Sequence, residues 1–353
     1  MTDAAVAGRL LDEYHERLVE SSRVRVIAGS EHQARVTYQV GLPDGASQVI
    51  RAFRADEPVP LYGRDVAGEN VAGWLTGCAR TLAALADAAY AAPRPVRTRT
   101  GELVGVAGPW LTWATTYVPG PVVTPTLDQL RQEGAALGHL HSVAALKGGD
   151  RIGDGPPGLA SRHPAVAIPA SFARLDRVEP RLPASWRSLH AECLTALTAI
   201  AAAADSVPES IVHGDVWARN AVQSSRSGVT FVDWETGGIG LAVIDLGNAL
   251  LECHLDADVP DDQPSRWLVA PSPDRIRAFA EGYASMRVPT AAELGLLPVA
   301  VKFSAAVVGS VHFEVALMNG VTGPAMDARV ARLQNRLGVA DEVAAIARDW
   351  LTS

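Results

Sequence analysis

Cysteine is scarce in this chain of 353 residues. The chain has three cysteines, Cys78, Cys193 and Cys253, which lie far apart and form no CxxC pair. A disulfide framework needs an even set of cysteines, and a structural zinc site needs clustered ones. The sequence therefore indicates neither, and small buried thiols are the expected role of these residues.

Positive charge is not in excess either. Charged residues make up 20% of the chain, and the formal net charge is -8. Nucleic acids and anionic membranes bind surfaces that are rich in Lys and Arg. The composition therefore predicts neither partner, whereas a cationic ligand is compatible with it.

The sequence shows no signal peptide and no convincing membrane span. Its first residues include Asp3, and their apolar residues recur at the spacing of an amphipathic helix: Leu10, Leu11, Tyr14 and Leu18. The most apolar late stretch, 297–317, contains three side chains that are costly in a bilayer: Lys302, His312 and Glu314. We therefore expect a buried helix at that position and a cytoplasmic protein.

Length and a hydrophobic content of 48% predict two lobes rather than one. Within residues 1–118, the segments 23–30 and 34–56 alternate apolar and polar positions, the second of them around an LPDG turn. A helix over 68–92 and two more strands follow. This order predicts an α+β N-terminal lobe with a small antiparallel sheet. Beyond it the pattern is mainly helical, over 127–146, 186–204, 241–255, 274–286 and 294–317. We expect this C-terminal lobe to span 119–353, with a hinge near 112–120.

The most informative stretches are HGDVWARN, residues 213–220, and FVDWE, residues 231–235. Phosphoryl transfer needs a group that orients the attacking hydroxyl and accepts its proton, and Mg2+ needs hard oxygen ligands. Asp215 can serve the hydroxyl, while Asn220 and Asp233 can serve the metal. Only four residues separate Asp215 from Asn220, so that both side chains can face one cleft. The SSRSG turn can return the chain so that Asp233 faces them too.

These stretches resemble the catalytic signature of the aminoglycoside phosphotransferase and choline kinase superfamily, a branch of the protein-kinase-like fold. The resemblance implies a bilobal fold with a small N-terminal sheet lobe and a larger, mainly helical C-terminal lobe. It also implies Asp215 as the catalytic base, and Asn220 and Asp233 as ligands of Mg2+. We expect His213 to pack beneath the loop and to hold it by hydrogen bonds.

Three further segments are similar to the family more weakly. TYVPGP, residues 116–121, resembles the hinge, which implies that Thr116 and Val118 contact the nucleotide. LGHLHS and AVIDLGNAL resemble a helix and a buried acid of the family. The acid is Asp245, which we expect to fix the catalytic loop or to interact with a helix N-terminus.

The phosphate-binding cation departs from the family. Kinase-like folds place a Lys on the third strand, but the only two lysines of this chain, Lys147 and Lys302, lie outside the N-terminal lobe. Arg51, on one strand face with Val49 and Phe53, aligns with the basic position, and an arginine can contact phosphate through two nitrogens. A solvated strand arginine is the alternative.

The phosphate-binding loop also departs from the common pattern, because no GxGxxG occurs in the N-terminal lobe. The resemblance implies instead that a short turn between the first two strands contacts the phosphates. Its candidates are Ser30 and the backbone of residues 29–34.

The acceptor is expected to be a small molecule. Only eleven residues separate Asp233 from Asp245, which leaves no room for the segment on which protein kinases dock a peptide. We therefore predict a small-molecule kinase that uses Mg2+ and either ATP or GTP and acts as a monomer or homodimer. The acidic segment 256–262 favours a cationic acceptor, such as an aminoglycoside-like antibiotic, if it lines the cleft; otherwise it is a solvated loop.

A nucleotide-binding pseudokinase with a regulatory or partner-binding role is the alternative from another class. The absent lysine and the missing glycine pattern favour it, whereas the presence of all three catalytic polar residues opposes it. Metal-dependent transfer from a nucleoside triphosphate to a hydroxylated amine distinguishes the two.

Overall fold

The computed structural model describes residues 12–14, 23–29, 35–55, 59–61, 64–66, 69–143, 158–225, 228–255, 270–318, 320 and 323–352. The chain divides into two compact units. The first unit consists of Met1–Leu61, Asp65–Pro119 and Gly148–Gly158. The second consists of Tyr62–Arg64, Gly120–Lys147 and Leu159–Ser353. The predicted N-terminal helix lies largely outside the described residues.

The first unit is built on an antiparallel sheet with the strand order β1-β2-β3-β8-β6, in which β7 also pairs with β8. Its strands are β1 (Arg23–Gly29), β2 (Arg35–Gly41), β3 (Ser47–Arg54), β6 (Pro95–Val96), β7 (Gly105–Ala107) and β8 (Trp110–Thr116). Two short strands, β4 (Val59–Leu61) and β5 (Arg64–Val66), pair with each other. One helix, α1 (Glu69–Asp87), follows them.

Side chains point alternately to the two faces of the sheet, and those on one face form a core. Side chains from β2, β3 and β8 form one buried cluster: Val36, Tyr38, Val40, Ile50, Ala52, Trp110 and Ala114. On the opposite face of β3, Phe53 packs edge-on against Trp74 of α1, with ring centroids 5.1 Å apart. The predicted LPDG hairpin joins β2 to β3, since Gly45 N donates to Leu42 O at 3.0 Å.

Among its described residues, the second unit is mainly helical, with two small antiparallel strand pairs. Its helices are α2 (Leu127–Ser142), α3 (Pro164–Val178), α4 (Arg187–Ala203), α5 (Ala242–Glu252), α6 (Pro273–Met286), α7 (Ala291–Leu317) and α8 (Pro324–Leu351). Its strands are β9 (Glu209–Val212), β10 (Ala221–Ser224), β11 (Gly228–Phe231) and β12 (Gly238–Leu241). Strand β9 pairs with β12, and β10 pairs with β11.

Helix α7 contacts α3, α4, α5 and α8 and so lies at the centre of the second unit. Among the described helices it is the one that is long and apolar enough to cross a membrane. However, 61% of its most apolar 18-residue window is buried inside the structure, as in the core helix of a folded unit. This agrees with the buried helix predicted from the sequence.

Two helices were not predicted from the sequence. Helix α3 begins at Pro164 and contains Pro169, and two prolines close together mask a helical pattern. Helix α8 carries buried apolar residues at helical spacing, including Leu333, Leu337 and Ala340, so the sequence does contain a helical pattern there. The three cysteines are buried thiols, as expected.

Helices α2 and α6 approach each other closely at a glycine. A Cβ atom on Gly134 would lie 2.0 Å from the backbone oxygen of Phe279, so only glycine allows this contact. The neighbouring residue, Glu133, is buried to 3% exposure. Burial raises the pKa of the Glu133 carboxyl from 4.5 to about 8.

This buried acid should make the stability of the protein depend on pH. The unfolded chain releases the proton of Glu133 near pH 4.5, whereas the folded chain keeps it up to about pH 8. The free energy of unfolding therefore falls as pH rises through this interval. As pH rises from 4.5 to about 8, Glu133→Gln should become more stable relative to the parent by up to about 1.4 kcal/mol for each pH unit.

Denaturant unfolding at several pH values from 5 to about 9 would measure this difference. Asp128→Asn, a change on the same helix at a side chain that is 90% exposed, is the matched control and should show no such trend. Parallel curves for Glu133→Gln and the parent would contradict the prediction.

Candidate active site

A short loop between β9 and β10 carries Asp215, whose carboxylate is held from two sides. Arg162 Nη2 lies 3.1 Å from Asp215 Oδ1, and Asn220 Nδ2 donates to Asp215 Oδ2 at 2.9 Å. Asn220 Nδ2 also donates to the backbone oxygen of Asp215 at 2.9 Å, which closes the loop on itself. The side chain of Asp215 is 20% exposed. It is therefore both fixed and accessible.

The β10–β11 hairpin returns the chain to this loop, as the sequence predicted. Ala221 pairs with Phe231, and Val232 N donates to Asn220 O at 2.8 Å. Asp233 therefore follows directly after a residue that is bonded to Asn220. The structure thus brings together Asp215, Asn220 and Asp233.

Asp233 adopts a left-handed backbone conformation, with φ 64° and ψ 60°. Asp and Asn tolerate this region better than other non-glycine residues, although it still costs about 1 kcal/mol. A short 3-10 turn, Trp234–Thr236, begins immediately afterwards. Strain of this kind is commonly found at functional sites, where the surrounding structure maintains it.

His213 anchors the loop from below, as expected from the sequence. It is fully buried, and its Nε2 donates to Val232 O at 2.8 Å. Its Nδ1 accepts from Asp215 N at 3.3 Å. The ring lies edge-on to Trp234, with centroids 4.7 Å apart. His213 therefore joins the Asp215 loop to the segment that carries Asp233.

Asp245, in the first turn of α5, fixes the same loop. Its two oxygens accept from His213 N at 2.8 Å and from Gly214 N at 2.9 Å. His141 Nε2 donates to it at 3.3 Å. Burial alone would raise the pKa of Asp245, but the hydrogen bonds from the His141 ring and from the His213 backbone outweigh burial and lower this pKa.

The contacts of Asp245 extend into α2 and α6. Burial lowers the pKa of His141, so that a neutral ring donates to Asp245 from Nε2 and accepts from the Tyr283 hydroxyl at 2.9 Å. Arg287 Nη1 donates to that hydroxyl at 2.9 Å, and Arg287 Nη2 to Glu293 Oε1 at 2.7 Å. This chain of buried and half-buried polar groups supports the Asp215 loop from the helical core.

Gly214 is required by the shape of the loop. Its φ is +80°, and a Cβ atom there would lie 2.6 Å from the backbone oxygen of Thr236. Any other residue would therefore be strained and would clash with backbone. This explains the glycine that precedes Asp215.

Arg162 was not singled out from the sequence. It lies 53 residues before Asp215, in a segment without a recognisable motif. No local spacing or periodicity relates the two positions, because their contact is created by tertiary folding. A motif-by-motif reading of the sequence therefore could not indicate the contact of Arg162 with Asp215.

The remaining predicted site residues lie in the first unit. Arg51 is half-buried on the face of β3 shared with Val49 and Phe53, with its guanidinium 5.5 Å from the Trp113 ring. Arg54 belongs to the opposite face and lies 6.0 Å from the Trp110 ring.

At the predicted hinge, Thr116 is exposed and ends β8, and its Oγ1 accepts from Arg94 N at 2.9 Å. Val118 is half-buried, and its backbone makes no hydrogen bond to any part of the chain that the structure describes. Ser30 and the acidic segment 256–262 lie outside the described residues.

Comparison with known proteins gives the family. The family described as "Phosphotransferase enzyme family" matches residues 36–288, which is well over half of the chain. The chain belongs to this family. The predicted resemblance to aminoglycoside phosphotransferases and choline kinases is confirmed, and so is the prediction of an enzyme that transfers phosphoryl groups to alcohols.

Solved structures of the same fold extend over nearly the whole chain. An amicoumacin kinase in complex with AMP-PNP, Ca2+ and Ami is 14% identical, with a TM-score of 0.65 over 97% of this chain and 94% of that one. A choline kinase from Cryptosporidium parvum is 13% identical, with a TM-score of 0.61 over 99% of each chain. A microcompartment-associated aminopropanol kinase is 18% identical, with a TM-score of 0.59 over 99% of this chain and 100% of that one.

Sequence comparison with curated proteins gives no match. The predicted fold class is confirmed: a small antiparallel sheet with a helix, followed by a larger and mainly helical part.

Proposed function

We propose that this phosphotransferase is a small-molecule kinase that transfers the γ-phosphoryl group of ATP or GTP to a hydroxyl, with Asp215 as the base. The observation that carries the proposal is the fixed but accessible carboxylate of Asp215, held by Arg162 and Asn220. An ionised carboxylate only accepts hydrogen bonds, so it can orient the hydroxyl of an acceptor and take its proton.

Asn220 and Asp233 fit a magnesium site. In the part of the chain that the structure describes, no donor contacts Asn220 Oδ1, and the hairpin brings Asp233 next to Asn220. The same part contains no group of three or more His, Cys, Asp and Glu side chains that could hold a metal. Mg2+ takes one or two protein oxygens, several waters and substrate phosphates, so that two such side chains would be sufficient to hold it. A bound Mg2+ would neutralise charge on the phosphates.

The nucleotide is proposed to bind mainly to the first unit. The backbone of Val118 and its neighbour Thr116 would contact the base, and Arg51 would contact the phosphates that are not transferred. Ser30 belongs to the same proposal through its position after β1. The second unit would then hold the acceptor beside Asp215, so that residues 1–118 and 119–353 would have separate roles.

Arg51 gives this arrangement a direct test. We expect Arg51→Ala to raise the KM for the triphosphate and to lower kcat, because no lysine of the first unit can replace the charge. Arg51→Lys should recover part of both, since the charge is kept while the planar guanidinium is lost. Steady-state kinetics on the two variants would measure these changes.

Arg54→Ala is the matched control, because Arg54 also lies over a tryptophan ring but on the opposite face of the same strand. It should change the kinetics little. If Arg54→Ala were damaging and Arg51→Ala silent, the phosphate-binding cation would be wrongly assigned.

The acceptor is proposed to be a small amino alcohol or a larger cationic antibiotic. Two of the matched structures are named as an aminopropanol kinase and an amicoumacin kinase. The net charge of -8 supports a cationic acceptor, although the acidic segment that suggested it lies outside the described residues. The pseudokinase alternative is not favoured, because the chain belongs to an enzyme family and retains all three polar residues.

A substrate panel tests the proposal. The protein would be incubated with ATP or GTP and Mg2+, together with amino alcohols, aminoglycosides and neutral sugars, and phosphorylated products would be identified by mass spectrometry. We expect transfer to at least one amine-bearing alcohol and its loss on chelation of the metal. The absence of both transfer and any nucleotide-dependent thermal shift would contradict the proposal.

A further inference from the structure

Arg162 is a buried arginine whose guanidinium contacts the carboxylate of Asp215. The two side chains are only 6% and 20% exposed, and Nη2 lies 3.1 Å from Oδ1. The other terminal nitrogen, Nη1, donates to Ser304 Oγ of α7 at 3.5 Å. We propose that Arg162 is a positioning residue for phosphoryl transfer, which fixes the direction in which Asp215 presents its carboxylate. This inference rests on the role of Asp215 proposed above.

The backbone that carries this arginine is attached to the segments that carry the catalytic loop. Ala160 N donates to Ile239 O of β12 at 2.9 Å, and Ser161 N donates to Thr236 O at 3.2 Å. Thr236 Oγ1 in turn donates to His213 O at 2.9 Å. The guanidinium and the carboxylate are therefore placed by one shared framework. Their ion pair differs in this respect from pairs between two flexible surface side chains.

Two donors on different oxygens restrict the rotation of Asp215. Arg162 contacts Oδ1, and Asn220 Nδ2 contacts Oδ2 at 2.9 Å. A partial rotation of the carboxylate would lengthen both contacts. Each oxygen still has a second lone pair, which can accept a hydrogen bond from an incoming hydroxyl. A fixed acceptor direction matters because a shift of about 1 Å in the reacting groups can lower the rate about a hundredfold.

Stability alone does not account for an arginine at this position. Removing a guanidinium from water is costly, and well-packed hydrophobic side chains often stabilise a fold as well as a buried ion pair does. One counter-ion of this arginine is the carboxylate proposed to receive the hydroxyl. A second buried arginine, Arg174, is equally enclosed at 6% exposure but pairs with Glu314, at 3.0 Å, and so offers a comparison within the same unit.

Steady-state kinetics on Arg162→Met and Arg162→Lys test the proposal. Arg162→Met keeps much of the volume but removes the donors, and we expect kcat to fall about tenfold to a hundredfold. The KM for the nucleotide should stay within about twofold, because the arginine acts on the base rather than on nucleotide binding. Arg162→Lys should recover part of kcat, since its charge can still reach Asp215. It also provides a folded variant if Arg162→Met does not fold.

A double-mutant cycle separates positioning from a general structural effect. If Arg162 acts through the carboxylate, adding Arg162→Met to Asp215→Ala should change the residual kcat by no more than about threefold. Arg174→Met is the control. In the parent it should lower the melting temperature and leave kcat nearly unchanged. In Asp215→Ala it should lower the stability by the same amount as in the parent. If Arg162→Met lowered the kcat of Asp215→Ala by as large a factor as it lowers the kcat of the parent, the proposal would be overturned.

The remaining outcomes distinguish this inference from the proposed function. If Asp215→Ala is inactive but Arg162→Met and Arg162→Lys turn over at the parent rate, Asp215 keeps its role and only the inference about Arg162 fails. If Asp215→Ala keeps near-parental kcat, the role of Asp215 as base fails, and the inference about Arg162 fails with it.

Discussion

Asp215→Asn should lower kcat on the order of a hundredfold or more, because the variant cannot accept the proton of the acceptor hydroxyl. Binding of the nucleotide should persist, since Asp215 is not among the residues proposed to contact it. Transfer assays and titration calorimetry with the nucleotide measure the two effects separately. A change in kcat without a change in nucleotide affinity would place Asp215 in the chemical step.

The structure adds a cost that the sequence did not reveal. Both oxygens of Asp215 face donors, Arg162 Nη2 and Asn220 Nδ2. The amide nitrogen of the variant would therefore oppose a donor in either orientation, and we expect the free energy of unfolding to fall by about 1 kcal/mol. Asp205→Asn, the same chemical change at an exposed acid of the same unit, is the control and should leave both rate and stability unchanged. Turnover near the parental rate in Asp215→Asn would contradict the role of base.

Local features of this site could be predicted from the sequence. Asp215 and Asn220 share one loop. The hairpin of β10 and β11, with four residue pairs and a short turn, brings the chain back so that Asp233 lies near them. Such relations depend on a few consecutive residues, so spacing and turn chemistry are sufficient to find them. The face of β3 that carries Arg51 was predictable for the same reason, because alternation along a strand is a local property.

Relations between distant segments could not be predicted in this way. The contact of Arg162 with Asp215 joins residues 53 positions apart, and that of His141 with Tyr283 joins residues 142 positions apart. The first depends on how the segment before α3 is attached to β12 and Thr236, and the second depends on the close approach of α2 and α6 at Gly134. Periodicity predicts which face of a helix is buried but not its partner. Arg162 and Tyr283 were therefore found as supporting groups only in the structure, whereas His213 and Asp245 were expected from the sequence.

Asp233→Ala should weaken magnesium-dependent nucleotide binding more than Asn220→Ala does. Asp233 offers a full charge to the metal, whereas Asn220 offers an amide dipole. Asn220→Ala should instead act mainly on kcat, because Asn220 Nδ2 donates both to the carboxylate and to the backbone oxygen of Asp215. Calorimetric titration of the nucleotide with and without Mg2+, followed by steady-state kinetics, distinguishes the two patterns.

The backbone of Asp233 supplies a control for folding. Its φ of 64° suits glycine better than alanine, so Asp233→Gly should be more stable than Asp233→Ala by roughly 1 kcal/mol. Both variants lack the carboxylate and should lose metal-dependent binding to the same extent, despite their difference in melting temperature. Equal binding losses at unequal stability would identify the carboxylate itself as the cause. If Asp233→Gly bound the nucleotide as tightly as the parent and with the same dependence on Mg2+, Asp233 would not be a metal ligand.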